Sequence, residues 1–237
     1  MPHRDAPTGF SPRHVAGLVR AAVPPMHPGG RPIVAAVALA AGAVRALTGR
    51  GTGAGVLATA AVAAFFRVPA RVAPSRTGVV LAAADGTVAT VSEVPPPAEL
   101  GLAPDPVPRV SVFLSVLDVH VQRVPVEGRV LAVEYRPGVF LSADLDKASE
   151  DNERNAVLLE TAGGARVGVV QIAGLLARRI VCDLVPGREV AAGETYGLIR
   201  FGSRVDVYLP PGSRVEVAVG QRTIGGETVL ATLPAAG

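Results

Sequence analysis

From about Thr77 to its end the chain is a succession of short apolar runs, each closed by Gly, Pro or Asp. Runs this short and this frequent specify strands, and strands at this spacing specify a sandwich or barrel-like β domain. "GVVLAAADGTVATV", residues 78–91, holds two such runs joined at Ala84-Asp85-Gly86, the composition of a hairpin turn. "RVSVFLS", "HVQRVPVEGRVLAVEY", "AVLLETAGGARVGVVQIAG", "RVDVYLP" and "RVEVAVG" follow in order. Aromatics make up only 4% of the 237 residues and Trp is absent, so Val, Leu, Ala and Ile are expected to build the core. A chain of this length buries a full core, as one large domain or as one domain with an appendage.

The character changes near residue 75. Before it the chain is rich in Ala and nearly free of acids. "PIVAAVALAAGAV", residues 32–44, is an apolar helical run ending at Arg45, and "VLATAAVAAFFRVP" follows the Gly-rich break "TGRGTGAG". Each run is shorter than the roughly 20 apolar residues a single span needs. The polar start "MPHRDAPTGFSPRH" is not that of a secretory signal. The runs therefore predict a helical hairpin that dips into one leaflet, with packing on the protein's own core as the alternative. The expected fold class is mainly β (α+β), with an apolar helical segment over 1–75 and a β domain over 76–237.

The net charge is +3 and the basic side is almost all arginine, Lys147 being the single lysine. This suits an anionic membrane surface, or it reflects a genome biased toward Arg codons. Cys182 is the only cysteine, which excludes an internal disulfide and a cysteine metal cluster and leaves it as an apolar filler. No Gly-rich loop stands between a strand and a helix, and no aromatics interleave with basic residues, so neither nucleotide nor nucleic acid is expected as a partner. Of four histidines, His3, His14 and His27 lie in the N-terminal segment. His120 alone lies in the β region, on one strand face with Asp118 and Gln122, and one histidine does not make a His-based metal site.

"GLIRFGSRVDVYLP", residues 197–210, alternates with one disturbance. Ile199, Phe201, Val205, Val207 and Leu209 fall on the inward side, Arg200, Gly202, Arg204, Asp206 and Tyr208 on the expected water side. Ser203 falls inward, directly after Gly202. The plain reading is a small filler beside a bulge. The chemical one joins Ser203 to His120 and Asp85 as an Asp–His–Ser constellation, in which imidazole takes the hydroxyl proton.

"ADG" at 84–86, "SVFLSVLDVHVQRVPVEG" at 111–128, "DKASEDNERN" at 146–155, "QIAGLLARRIVC" at 171–182 and "YGLIRFGSRVDVYLP" at 196–210 occur in this order. Together they resemble phosphatidylserine decarboxylase in its shorter bacterial, pyruvoyl-dependent proenzyme form. The resemblance implies self-cleavage between Gly202 and Ser203, which turns Ser203 into a covalent pyruvoyl group. It also implies decarboxylation of phosphatidylserine to phosphatidylethanolamine through a Schiff base on that group, with Asp85, His120 and Ser203 serving self-cleavage. The two chains are expected to stay together as a heterodimer, with further oligomerisation left open, peripheral on the cytoplasmic face of the cell membrane. Some relatives carry a second histidine three positions after the first, where this chain has Arg123, so the acid-base roles cannot be divided between two imidazoles here. Arg123 is then either a bidentate donor to the substrate carboxylate or phosphate, or a surface charge. Two alternatives stand beside this reading. One is a pyruvoyl decarboxylase of another amino-acid head group. The other is a lipoyl- or biotinyl-like carrier module, suggested by Asp-Lys-Ala around Lys147.

Overall fold

The computed structural model describes residues 23–139, 152–174, 179–200 and 203–234. Among the described residues two helices come first, α1 (Arg31–Thr48) and α2 (Thr52–Phe65). They are joined through Gly49 and Gly51, at φ 68° and 86°, a left-handed conformation that glycine adopts without a Cβ clash. A Cβ on Gly55 would come 2.7 Å from the Ala41 Cβ, so the helices meet where one of them has no side chain. With its leading 3-10 turn, the first helix covers Pro28–Thr48, 21 residues, and only 6% of its apolar window is buried. It exceeds the run 32–44 by Pro28–Arg31 at its start and Arg45–Thr48 at its end. By length and composition it is long and apolar enough to cross a membrane, which corrects the expectation of a run too short for a span. His27 is not loose: it is buried, and its Nδ1 accepts the Gly29 N–H at 3.1 Å to cap that first turn.

Fourteen strands follow: β1 (Val79–Leu81), β2 (Gly86–Val94), β3 (Val107–Leu114), β4 (Val121–Arg123), β5 (Gly128–Arg136), β6 (Arg154–Glu160), β7 (Arg166–Ala173), β8 (Ile180–Cys182), β9 (Glu189–Val190), β10 (Thr195–Ile199), β11 (Ser203–Tyr208), β12 (Arg214–Val215), β13 (Arg222–Thr223) and β14 (Val229–Thr232). Eight of them form a sheet in the order β13-β2-β3-β11-β7-β6-β5-β9, curled into a half barrel. Two three-stranded sheets, β1-β14-β12 and β4-β10-β8, complete the β domain. The main core draws on all three sheets, with Val80 and Leu230, Tyr196 and Ile199, and Val110, Val169 and Val205 buried together. Mainly β with a helical start is thus the fold, as the punctuation of the sequence requires.

Three local expectations are corrected. The runs flanking Ala84-Asp85-Gly86 are not a hairpin, because β1 pairs with β14 and β2 pairs with β3 and β13. Ala82 carries on the pairing of β1, its N–H donating to Thr228 and its carbonyl accepting from Gly226, so the chain crosses between sheets at Asp85. The even side of β11 does not face water. Arg204, Asp206 and Tyr208 are buried, because a strand in mid-sheet has a second face that is also packed, here against Leu100, Val107, Val170 and Ile172. "RVEVAVG" yields only the two-residue β12.

Candidate active site

Register brings Ser203, and the starts of the segments that lead to Asp85 and His120, to one end of the large sheet. Ser203 opens β11 opposite Leu114, the last residue of β3, and opposite Ala173, the last of β7. Gly86 opens β2 at the same end, with Thr87 opposite Phe113. A Cβ on Gly86 would lie 2.3 Å from the Phe113 carbonyl oxygen, so only glycine lets β2 start flush against β3. Asp85 therefore stands one strand away from Ser203, about 10 Å at two strand spacings. The turn Ser115–Asp118 leaves β3 from this end and leads to His120.

Ser203 is fully buried and, among the described residues, its Oγ has no hydrogen-bond partner. Leaving a buried hydroxyl unsatisfied costs about 1–3 kcal/mol, which a simple filler would avoid. His120 is buried too, and its Nδ1 lies 2.9 Å from the Asp118 carbonyl oxygen. A carbonyl only accepts, so Nδ1 carries the proton and Nε2 keeps a lone pair. Among the described residues that Nε2, like the Ser203 Oγ, has no hydrogen-bond partner. Burial lowers the His120 pKa to about 4, against an upward pull from the Asp118 carbonyl and carboxylate, with Arg67 adding to the lowering. The imidazole is neutral at neutral pH and available as a base. Its ring lies 4.1 Å from that of Phe65 at the foot of α2, tilted by 35°.

Asp118, expected on one strand face with His120 and Gln122, lies instead in the turn Ser115–Asp118, and β4 begins only at Val121. The Asp118 carboxylate accepts the Ser115 N–H at 2.8 Å and the Ser115 hydroxyl at 2.7 Å, and pairs with Arg222. These bonds lock the turn whose carbonyl fixes the His120 tautomer. Asp85 is engaged elsewhere: Oδ2 accepts from Arg71 at 2.7 Å and Oδ1 from the Gly225 N–H at 2.8 Å. Among the described residues no hydrogen bond joins Asp85 to His120. Burial raises the Asp85 pKa and the nearby Asp118 charge adds to it, while the Gly225 N–H, Arg71 and Arg123 pull it down.

Arg123 is buried, so it is not a surface charge. Its Nη1 donates to the Gly193 carbonyl at 2.8 Å and its Nη2 to the Pro69 carbonyl at 2.5 Å. Gly202 lies outside the described residues, as does Lys147. Among the described residues no three His, Cys, Asp or Glu side chains converge as a metal site.

Against known proteins, the family model described as phosphatidylserine decarboxylase matches residues 58–231. The chain belongs to the phosphatidylserine decarboxylase family. A phosphatidylserine decarboxylase proenzyme of Saccharopolyspora erythraea is 61% identical over 93% of this chain and 93% of its own length. Those of Mycobacterium marinum and Mycobacterium bovis are 58% and 56% identical, covering 95% and 98% of this chain and 93% and 99% of their own. The match runs from within α2 through β14, so all five sequence blocks fall inside it, and membership in a decarboxylase family removes the carrier alternative at Lys147.

Proposed function

We propose that this chain decarboxylates phosphatidylserine to phosphatidylethanolamine with a pyruvoyl group that it makes from its own Ser203. The observation that carries the reading is that, among the described residues, the buried Ser203 Oγ and the buried His120 Nε2 each lack a hydrogen-bond partner. A buried hydroxyl and a buried neutral imidazole are the two groups an internal acyl shift needs. His120 takes the Ser203 proton as Oγ attacks the Gly202 carbonyl carbon. The Gly202–Ser203 C–N bond then breaks as His120 hands that proton to the Ser203 nitrogen, leaving an ester on Oγ and a free amine. Removal of the Ser203 α-proton expels the Gly202 carboxylate and leaves dehydroalanine. Water then releases ammonia and leaves a pyruvoyl-blocked chain. Burial of Ser203 fits the resulting ketone, which must be shielded from stray amines.

The pyruvoyl group supplies an electron sink for the pair left when carbon dioxide departs from the substrate. The chain's own contribution is to return a proton to the substrate carbon, and His120 is the histidine at hand. Asp85 enters as a charge that steadies the imidazolium formed during cutting, acting through the field rather than through a direct bond. Arg123 is proposed to meet the head group by exchanging the Pro69 carbonyl for a substrate oxygen.

The helical hairpin is proposed to hold the enzyme on an anionic bilayer from the cytoplasmic side. No acid occurs between Asp5 and Asp85, and Leu39, Leu47 and Leu57 on the two helices are 71–86% exposed. An apolar, base-flanked hairpin of this kind seats in the interface.

Intact mass tests the central claim. Wild-type protein should give residues 1–202 and a shorter chain from position 203 with a blocked N-terminus, the two eluting together under native conditions. Ser203→Ala should stay one chain. An active but uncut wild type would overturn the proposal.

A further inference from the structure

Three amide side chains run in series through the aliphatic core and end on His120. Asn155 Nδ2 donates to Gln171 Oε1 at 3.0 Å, and Gln171 Nε2 donates to Gln122 Oε1 at 3.0 Å. Gln122 Nε2 then donates to the His120 carbonyl at 2.8 Å. Gln122 and Gln171 are fully buried and Asn155 is 3% exposed. The direction of the series is forced. The His120 carbonyl only accepts, so Gln122 must turn its nitrogen to it and its oxygen to Gln171, which fixes Gln171 and Asn155 in turn.

The series crosses between layers. Asn155 and Gln171 lie opposite each other on β6 and β7 of the large sheet, whereas Gln122 lies on β4 of a small one. Gln171 stands opposite Val205 on β11, and two residues further along β7 Ala173 stands opposite Ser203. Around this crossing the layers meet through Leu114, Ile199 and Val205. Aliphatic contacts tolerate small shifts, whereas directional bonds between amides do not.

We infer that Asn155, Gln171 and Gln122 are positioning residues that set where His120 stands relative to Ser203. They act through the His120 main chain and touch neither the scissile bond nor the substrate. The inference rests on the self-cleavage reading above. It makes the central glutamine decisive, because Gln171 is bonded on both sides.

The test follows cutting of newly made protein on gels after cell-free translation, at a temperature where circular dichroism reports a folded chain. Gln171→Met keeps the length and loses the bonds. It should cut about 10- to 100-fold more slowly than wild type, the range for a misplacement of about 1 Å. Gln171→Glu can accept from Asn155 and, when protonated, donate to Gln122. Its rate relative to wild type should therefore be low at alkaline pH and recover toward one as the pH falls, with the titration of His120 cancelling in the ratio. This second variant decides the matter where Gln171→Met does not fold. A cut wild type with Gln171→Met equally fast, or a Gln171→Glu ratio flat with pH, overturns the series and leaves self-cleavage standing. A wild type that stays uncut overturns self-cleavage itself, and the series with it.

Discussion

His120 is placed by its surroundings rather than by an acidic partner on its ring. The Asp118 carbonyl holds the proton on Nδ1, and burial with the Phe65 ring keeps the imidazole neutral to about pH 4. Since the neutral form is the base, the cutting rate should stay level as the pH falls through 6.5, the ordinary imidazole value, and drop only toward about 4. An inflection near 6.5 in pulse-labelled proenzyme would remove His120 from the role. The same shift acts on stability. The unfolded chain takes up the proton first, so stability is full above 6.5 and declines toward 4, by on the order of 3 kcal/mol. Asp85 is tested by Asp85→Asn, whose amide oxygen still accepts the Gly225 N–H but carries no charge. Cutting should slow by about tenfold to a hundredfold, and an unchanged rate would reduce Asp85 to a turn residue. Ser203 and His120 were legible because each breaks a pattern, one as an inward hydroxyl and one as the single histidine of the β region. The bond from His120 to a main-chain carbonyl, and the contact with Phe65 across 55 positions, leave no mark in composition or period.

At the level of elements, the helical hairpin and the segment that leads through His120 into β4 share one apolar cluster. Phe65, Phe66, Val119, Val121 and Leu198 are buried together at the foot of α2. The hairpin is fixed to the β domain by its base, and its far side is open. Leu39, Leu47 and Leu57 are 75%, 86% and 71% exposed, so changing all three to Glu should leave the melting temperature unchanged. The triple variant, made in the uncut Ser203→Ala background, should lose at least about tenfold in sedimentation with anionic vesicles. Binding equal to that of its parent would make these ordinary exposed side chains. The runs that became α1 and α2 were visible as apolar stretches, although caps and flanking turns lengthened the first. The supposed hairpin at Asp85 was misread because a turn signal gives a change of direction and not the identity of the next partner. Likewise, alternation in β11 could not show that its second face was also covered.

Over the whole molecule, the class of fold was readable and the sheet order was not. Short punctuated runs identify strands, but the order β13-β2-β3-β11-β7-β6-β5-β9 is made of pairings distant in sequence, which local pattern does not encode. That order lodges β11 between β3 and β7, and β14 between β1 and β12. The segment after the proposed cut thus supplies inner strands to two sheets, which is why both pieces should elute as one. It also leaves the ribosome after β3 and β7 have been made. While β3 and β7 wait, the groove for β11 is empty and Ser203 has nothing to lie against. On the proposed mechanism, a message that stops short of β11 yields a chain that never presents its hydroxyl to the imidazole, so translation through β11 times maturation and shorter products stay chemically silent.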